Sequence, residues 1–399
     1  MPKKNNLYPY REAFGKQEIK YLKSVISYYV NKKSDPPYHG IFEKKLSNEF
    51  SKFMNGGFAL PVSSGTSAAY VAIQSLMLNS KSEILISPVN DSGPINAIIN
   101  LNLKPIIIDS KKNSYNVSLD NIKNKISKKT KAVLLAHIGG QSAEIGKISN
   151  FLKKKKIPLI EDCSQAPGAS CFQCQKRCKV CVNKKVGEFG NISFFSTMYR
   201  KSISSSGSGG IVFTKNKNQF RRIQSCGDRG KQTWLKINQN DPSKALFPAL
   251  NHNTNEFVSA VTLSSLKRLN ETNNKRKKIL KYLIKTLSKK SLVCKPSYFD
   301  NGFAPFFFPI EVDTKKLKIS KLKFANYLMK KGVPLLPEYN CVVTKWPWAK
   351  KYFPNNFAAR NAVNYSKKTF HLFINEKFNK NHLDKIVKII KKVENIYFK

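Results

Sequence analysis

Residues 194–210 read FFSTMYRKSISSSGSGG, and residues 158–162 upstream read PLIED. In the first stretch an apolar run ends in Ser196, Lys201 follows five residues later, and the loop Gly207-Ser208-Gly209-Gly210 leads into Ile211-Val212-Phe213. In the second, an apolar run ends in Glu161 and Asp162. Short apolar runs bounded by turn residues read as buried strands. An acid at the end of such a strand needs a partner, because burying a lone carboxylate is costly.

The surrounding chain repeats this pattern. Strands are expected at 58–62, 84–87, 105–109, 131–137 and 157–161, and helices at 66–78, 95–101, 119–126 and 145–155. Strands alternating with helices imply a mostly parallel sheet with right-handed crossovers. Ligands of such sheets sit beyond the carboxyl ends of the strands. Near residue 250 the pattern changes. Residues 255–290 read as a long basic helical region broken near Thr272-Asn273-Asn274, strands follow around 306–312, and a helix closes the chain at 381–396. Two domains are expected, residues 1–250 and 251–399, with a Cys-rich insertion at 170–185.

Composition narrows the class. The 399 residues are 41% hydrophobic, enough for a large core. No apolar run approaches the about 20 residues that cross a membrane. The start, MPKKNNLYPYREAF, has no apolar stretch of the secretory kind. A soluble, cytoplasmic protein is expected. The formal net charge is +47, yet only nine of the 71 basic residues are Arg, and lysines are spread over the whole chain. Phosphate readers favour the arginine fork, so a generic basic surface is preferred over a nucleic-acid site. Such a surface still attracts an anionic small molecule.

The chemistry lies in the two opening stretches. A lysine and an acid delivered to one strand-end face are what pyridoxal phosphate (PLP) requires: the amine forms a Schiff base, and the acid keeps the pyridine nitrogen protonated. Ser63-Ser64-Gly65-Thr66, between a strand and a helix, suits an anion at a helix N-terminus, and by itself also reads as an ordinary cap. Asn251, just ahead of the long helical region, reads alone as a helix cap.

In this order the segments resemble the DegT/DnrJ/StrS-type PLP-dependent sugar aminotransferases. Gly40-Ile41-Phe42-Glu43 is similar to that family's early G-x-x-x-E region, Ser64-Gly65-Thr66-Ser67-Ala68 to its S-G-T-x-A, and Lys104 to Asp109 to its A-x-P-V-F-V-D strand. Ala136-His137-Ile138-Gly139-Gly140-Gln141 is similar to V-H-L-Y-G-Q, and Glu161 to Ala169 to E-D-A-A-Q-A-x-G-A. Ser196 to Lys201 keeps its S-x-x-x-x-K spacing. The resemblance implies an α/β protein of PLP-dependent transferase fold type I, with a mostly parallel seven-stranded sheet in the large domain and a smaller C-terminal α+β domain. It implies catalytic roles for Lys201, the Schiff-base residue, and Asp162, the partner of the pyridine nitrogen. Gly65, Thr66 and Ser196 would bind the cofactor phosphate, Gln165 would lie near its phenolic oxygen, and Asn251 would reach the phosphate in the partner subunit of a homodimer. The implied activity is amination of a keto-sugar, nucleotide-linked, with glutamate or glutamine as donor. A PLP-dependent sugar dehydratase, whose known form replaces the lysine with histidine, is one alternative. A non-catalytic regulatory or nucleic-acid-binding protein on the same fold is another.

The chain also departs from that pattern. The family's ring-stacking aromatic is absent from Pro88-Val89-Asn90-Asp91-Ser92-Gly93, its G-E-G-G loop is Gly207 to Gly210 here, and its C-terminal His-Tyr is Glu338-Tyr339. A frame anchored on Ser193-Phe194 would place Met198 at the lysine position; Lys201 keeps the serine spacing and the distance to the glycine loop. Finally, Cys171, Cys174, Cys178 and Cys181 form C-x2-C-x3-C-x2-C. Four thiolates at this spacing can close on one zinc or hold an iron–sulfur cluster, and a metal-free reduced loop is the alternative. Cys163, Cys226, Cys294 and Cys341 read as packing residues.

Overall fold

The computed structural model describes residues 7–11, 14–171, 181, 184–235, 241–297, 299–353 and 357–399. The apolar runs form one seven-stranded sheet: β1 (Phe58–Val62), β2 (Glu83–Ile86), β3 (Lys104–Ile107), β4 (Thr130–Ala136), β5 (Leu159–Asp162), β6 (Ile192–Ser196) and β7 (Gly210–Thr214), in the order β1-β7-β6-β5-β4-β2-β3. Strands β2 to β6 pair in parallel, and β7 runs antiparallel to both β6 and β1. Helices α1 (Lys16–Lys32) and α2 (Ile41–Phe53) precede the sheet, and α3 (Gly65–Gln74), α4 (Ser92–Asn100), α5 (Leu119–Lys123), α6 (Ile145–Lys154) and α7 (Lys217–Gly227) connect or follow its strands.

Both faces of the sheet are buried, as the period-two pleat requires. Ile84, Ile86, Leu134 and Ile160 point into one apolar cluster with residues of α3 and α4. Their neighbours Leu85, Val133, Leu135 and Leu159 point into another, with Ile122, Ile145 and Ile148 of α5 and α6. Each such side chain contributes about 1.5–3 kcal/mol when fully buried. The register sets Asp162 beside Phe194 and Ala136, and Ser196 beside Gly210. The ends of β4, β5 and β6 therefore meet at one edge.

Helices α8 (Glu256–Lys267) and α9 (Leu269–Lys290) lead to a second sheet of β8 (Cys294–Pro296), β9 (Phe308–Val312), β10 (Leu335–Leu336) and β11 (Thr369–Leu372). Its order is β10-β11-β9-β8, all antiparallel. It is joined by α10 (Lys321–Lys330), α11 (Arg360–Lys368) and α12 (Lys380–Tyr397), and α9, α10 and α12 share its core. The helical break falls at Arg268 rather than at Thr272–Asn274. Thr272 and Asn273 are buried inside α9, where the Asn273 amide donates to the Pro167 carbonyl at 3.0 Å. Asn273, read as part of a break, instead anchors α9 to the loop after β5. The expected division near residue 250 falls just before α8, which packs on α1 and α2. No helix among the described residues is long and apolar enough to cross a membrane.

Buried carboxylates tie the first unit together. Glu256 caps α2: the Phe42 and Glu43 amides donate to its two oxygens at 3.0 and 2.9 Å, and the Tyr29 hydroxyl adds a third bond at 2.7 Å. Gly40 is required there, because a Cβ would lie 2.5 Å from the Glu256 carboxylate carbon. Beside it, His39 lies between Glu43 at 3.0 Å and Asp228 at 3.6 Å, just past α7. Burial disfavours the imidazolium, but the two carboxylates win and raise its pKa from 6.5 to about 9. A raised histidine stabilises the fold fully below its unfolded value and loses that contribution as pH rises through the folded one. Wild type should therefore exceed His39→Gln in stability by about 1–2 kcal/mol at pH 6, and the gap should close between pH 6.5 and 9. Urea unfolding of both proteins across this range checks it; a gap independent of pH would contradict the ion-pair account.

Candidate active site

The strand ends deliver the two groups singled out from sequence. Asp162, the last residue of β5, is 8% exposed and accepts the Ser164 amide at 2.9 Å. Burial raises its pKa; the bonds from Ser164 and the positive charge of Lys201 oppose that rise. Lys201 is half-buried, with its ammonium 4.8 Å from the Phe306 ring centroid. Burial lowers its pKa, while Asp162, Asp91 and Cys341 act to raise it. A buried acid and a half-buried amine thus share one site without a direct ion pair. Met198 supplies no ionisable group; its amide makes a long bond, 3.4 Å, to the Ser196 hydroxyl.

The loop that carries Lys201 is folded back on itself. Thr197 and Tyr199 amides donate to the Gly209 and Gly207 carbonyls at 2.9 and 3.0 Å, and the Lys201 amide closes a turn onto Met198 at 2.8 Å. Ser202 is buried and accepts from Arg276 at 2.8 Å, and Arg276 is paired with Glu376 at 2.8 Å. The lysine is therefore braced from α9 and the second sheet.

At the end of β6, ahead of that loop, lies the N-terminus of α3, capped by Ser64. A Cβ on Gly65 would lie 2.6 Å from the Ser196 Cβ, so only glycine lets the helix end meet β6. The first turn of a helix carries amide hydrogens with no intrahelical acceptor and a partial positive charge. With the Ser196 hydroxyl alongside, this end could hold a phosphate. The Ser208 hydroxyl, in the glycine loop, donates to the Ser63 carbonyl at 2.8 Å. The Ser63 amide in turn donates to the His252 carbonyl at 2.9 Å, which brings the segment of Asn251 beside the α3 N-terminus. Asn251 itself is exposed, and its side chain accepts the Asn253 amide at 3.1 Å.

Gln165 is held at both ends. Its oxygen accepts the Gly139 amide at 2.9 Å, and its nitrogen donates to the Tyr339 hydroxyl at 3.0 Å. Tyr339, noted in the sequence only as a departure, is buried against Phe307 and His371. Cys341, expected to be a packing residue, lies close enough to Lys201 and Asp91 to feel both charges. Asn90 is buried with no partner for either amide atom. None of these three carried a sequence signal beyond its place in a departing segment. A lysine amine, a buried acid and a helix N-terminus whose glycine leaves no room for a Cβ are together a donor set that fits PLP.

Glu161, the other acid of the pair, does not face this site. It accepts the Gly187, Phe189 and Gly190 amides at 2.8, 2.8 and 2.6 Å, and the His137 ring at 3.0 Å. The other ring nitrogen of His137 accepts the Ala143 amide at 3.1 Å, so the nitrogen facing Glu161 is the donor. His137, Glu161 and Cys163 cluster closely enough to suggest a metal, but these bonds occupy the histidine lone pair and the carboxylate. Cys171 and Cys181 are buried with Leu152 and Leu159, while Cys174 and Cys178 lie outside the described residues.

The overall arrangement is shared with solved enzymes. Helicobacter pylori PseC, an aminotransferase of pseudoaminic acid biosynthesis, superposes with a TM-score of 0.82 at 20% identity, over 96% of this chain and 97% of that one. An Escherichia coli GDP-4-keto-6-deoxy-D-mannose-3-dehydratase with bound hydrated PLP superposes at 0.83 and 19% identity, over 98% and 100%. The fold is that of PLP-dependent enzymes of fold type I. In sequence, GDP-perosamine synthase of Escherichia coli O157:H7 is 24% identical over 81% of this chain and 84% of its own length. The profile of the DegT/DnrJ/EryC1/StrS aminotransferase family matches residues 28–391, and the chain belongs to that family. It is a PLP-dependent aminotransferase.

The Glu161 bonds yield a test within the protein alone. Glu161→Gln keeps the size but turns one acceptor into a donor facing amide hydrogens, at a cost of about 2–4 kcal/mol. Hydrogen exchange at the Gly187, Phe189 and Gly190 amides should accelerate at least tenfold. Unchanged protection would show that other contacts hold this loop.

Proposed function

We propose that the enzyme carries an amino group from glutamate or glutamine to the keto carbon of a nucleotide-linked sugar, releasing the donor's 2-oxo acid. The observation that carries this reading is the shared site of Lys201 and Asp162, with the α3 phosphate cradle at the end of β6, ahead of the lysine loop. The sugar substrate rests on the relatives, among them a GDP-perosamine synthase. The basic surface suits a diphosphate-linked substrate.

When bound, PLP supplies an electron sink for the bonds at the amino carbon. Lys201 is the residue proposed to hold it covalently. Burial lowers the pKa of this amine, which favours the neutral form needed by a nucleophile and, once freed, by the base that takes the proton from the donor Cα. Asp162, desolvated and without a cation in hydrogen-bond contact, is suited to a protonated pyridine nitrogen. Gly65, Thr66 and Ser196 would receive the phosphate, and Gln165 the phenolic oxygen. Asn251, exposed beside the cradle, fits a role across a two-fold homodimer. The competing dehydratase reading is disfavoured by an amine at position 201.

The four cysteines complete the proposal. We infer one structural zinc on Cys171, Cys174, Cys178 and Cys181, supported by their spacing and by the burial of the outer two in one cluster. The bridge between Ser170 and Lys185 closes the neck of this insertion.

Borohydride treatment of the holoprotein should leave a pyridoxyl group on the peptide of Lys201; a label on another lysine sinks the assignment. Asp162→Asn should retain the cofactor yet slow the half-reaction with donor by about a hundredfold or more, because the amide cannot hold a positive nitrogen. Near wild-type rates would mean that another residue faces the ring nitrogen. Elemental analysis should find about one zinc per chain, lost in Cys174→Ser/Cys178→Ser with a lower melting temperature. Iron with sulfide would point to a cluster, and no metal from an anaerobic preparation would leave a metal-free loop.

A further inference from the structure

Asn90 is a buried polar residue that neither the fold nor the chemistry above uses. Its side chain is 1% exposed, and neither Oδ1 nor Nδ2 has a hydrogen-bond partner. Buried amides are nearly always paired, and an unpaired one destabilises the fold that holds it. Such a group persists where something bound completes its bonding.

Its position indicates what that is. Asn90 lies in the turn between β2 and α4, at the carboxyl edge of the sheet. Its backbone amide donates to the Cys341 carbonyl at 2.9 Å, and Val89 bridges Val342. The residues on either side, Asp91 in sequence and Cys341 in space, both lie close enough to Lys201 to feel its charge. Three residues further on, Gly93 presses against the hydroxyl of Thr66, where a Cβ would come within 2.6 Å. The turn that holds Asn90 therefore touches both the lysine side of the site and its phosphate cradle. Asp91 is exposed, and its carboxyl already caps α4 through the Gly93 amide. The Asn90 Nδ2 hydrogens have no such partner.

We propose that the free carboxamide of Asn90 is a hydrogen-bond donor to the PLP held on Lys201, at the wall of the site where an aromatic side chain would offer only a stacking face. The inference rests on the PLP reading given above. It has a consequence that packing alone would not produce. Removing the amide should relieve the protein without cofactor and weaken the protein with it.

Asn90→Leu, close in volume and without polar atoms, tests this, with Asn90→Ala as the second variant should leucine not be accommodated. Three readings are taken: the melting temperature of the cofactor-free protein, the dissociation constant for PLP from a visible-absorbance titration, and the apparent pKa of the bound chromophore. The expected result is a cofactor-free protein that melts at or above the wild-type temperature. Cofactor binding should weaken about tenfold, the worth of one hydrogen bond to a charged group, and the chromophore pKa should shift. Unchanged PLP affinity and chromophore pKa in a folded variant would overturn the inference and leave the PLP reading standing. Wild-type protein that takes up no PLP would overturn both.

Discussion

The carboxylate of Glu161 is the constraint on which the site depends. It receives three backbone amides and the ring of His137, all inside the protein. Adjacent residues of a strand point to opposite faces. Locking Glu161 into the loop before β6 therefore fixes Asp162 on the other face, toward Lys201. The same bonds set where β6 begins, and so where Ser196 and the lysine loop emerge. A carboxylate with this many donors is strongly anchored, whereas its neighbour is left with Ser164 and a distant cation. Of two adjacent acids, one is spent on structure and the other is left toward Lys201.

Close backbone approach is the second requirement. Gly65 lets the α3 terminus meet Ser196, and Gly93 lets α4 meet Thr66. The helix ends thus converge on the strand ends with no side chain between them. In a chain of net charge +47, Asp162 and Asp91 are the acids whose charges act on Lys201.

The second sheet also takes part in the site. Arg276 joins Ser202 in the lysine loop to Glu376 after β11, and Tyr339, packed against Phe307 and His371, holds Gln165. Arg11 adds a further contact to Glu376. With two arginines beside it, burial does not prevail, and the Glu376 carboxyl titrates near 2. The lysine and the glutamine are therefore positioned by contacts more than 70 residues distant in sequence.

The sequence by itself determined most strands of the first sheet and the helices α3 to α6 between them, because strands buried on both faces are mostly apolar; α1, α2, α7, α10, α11, β8, β10 and β11 were not read from it. It also singled out Lys201 and Asp162, since a lysine after a strand-end serine and an acid ending a buried strand are local patterns. Family resemblance in those same patterns pointed to the fold. Tertiary structure decided what local pattern could not. Thr272 and Asn273 look like helix breakers until Asn273 finds the carbonyl of Pro167. Glu161 and Asp162 look equivalent until three amides from a later loop claim one of them. Cys341 looks like a packing residue until the chain brings it near the lysine. In each case the deciding partner is remote along the chain, and whether a polar group is satisfied or left unpaired is a property of the folded neighbourhood rather than of the residue.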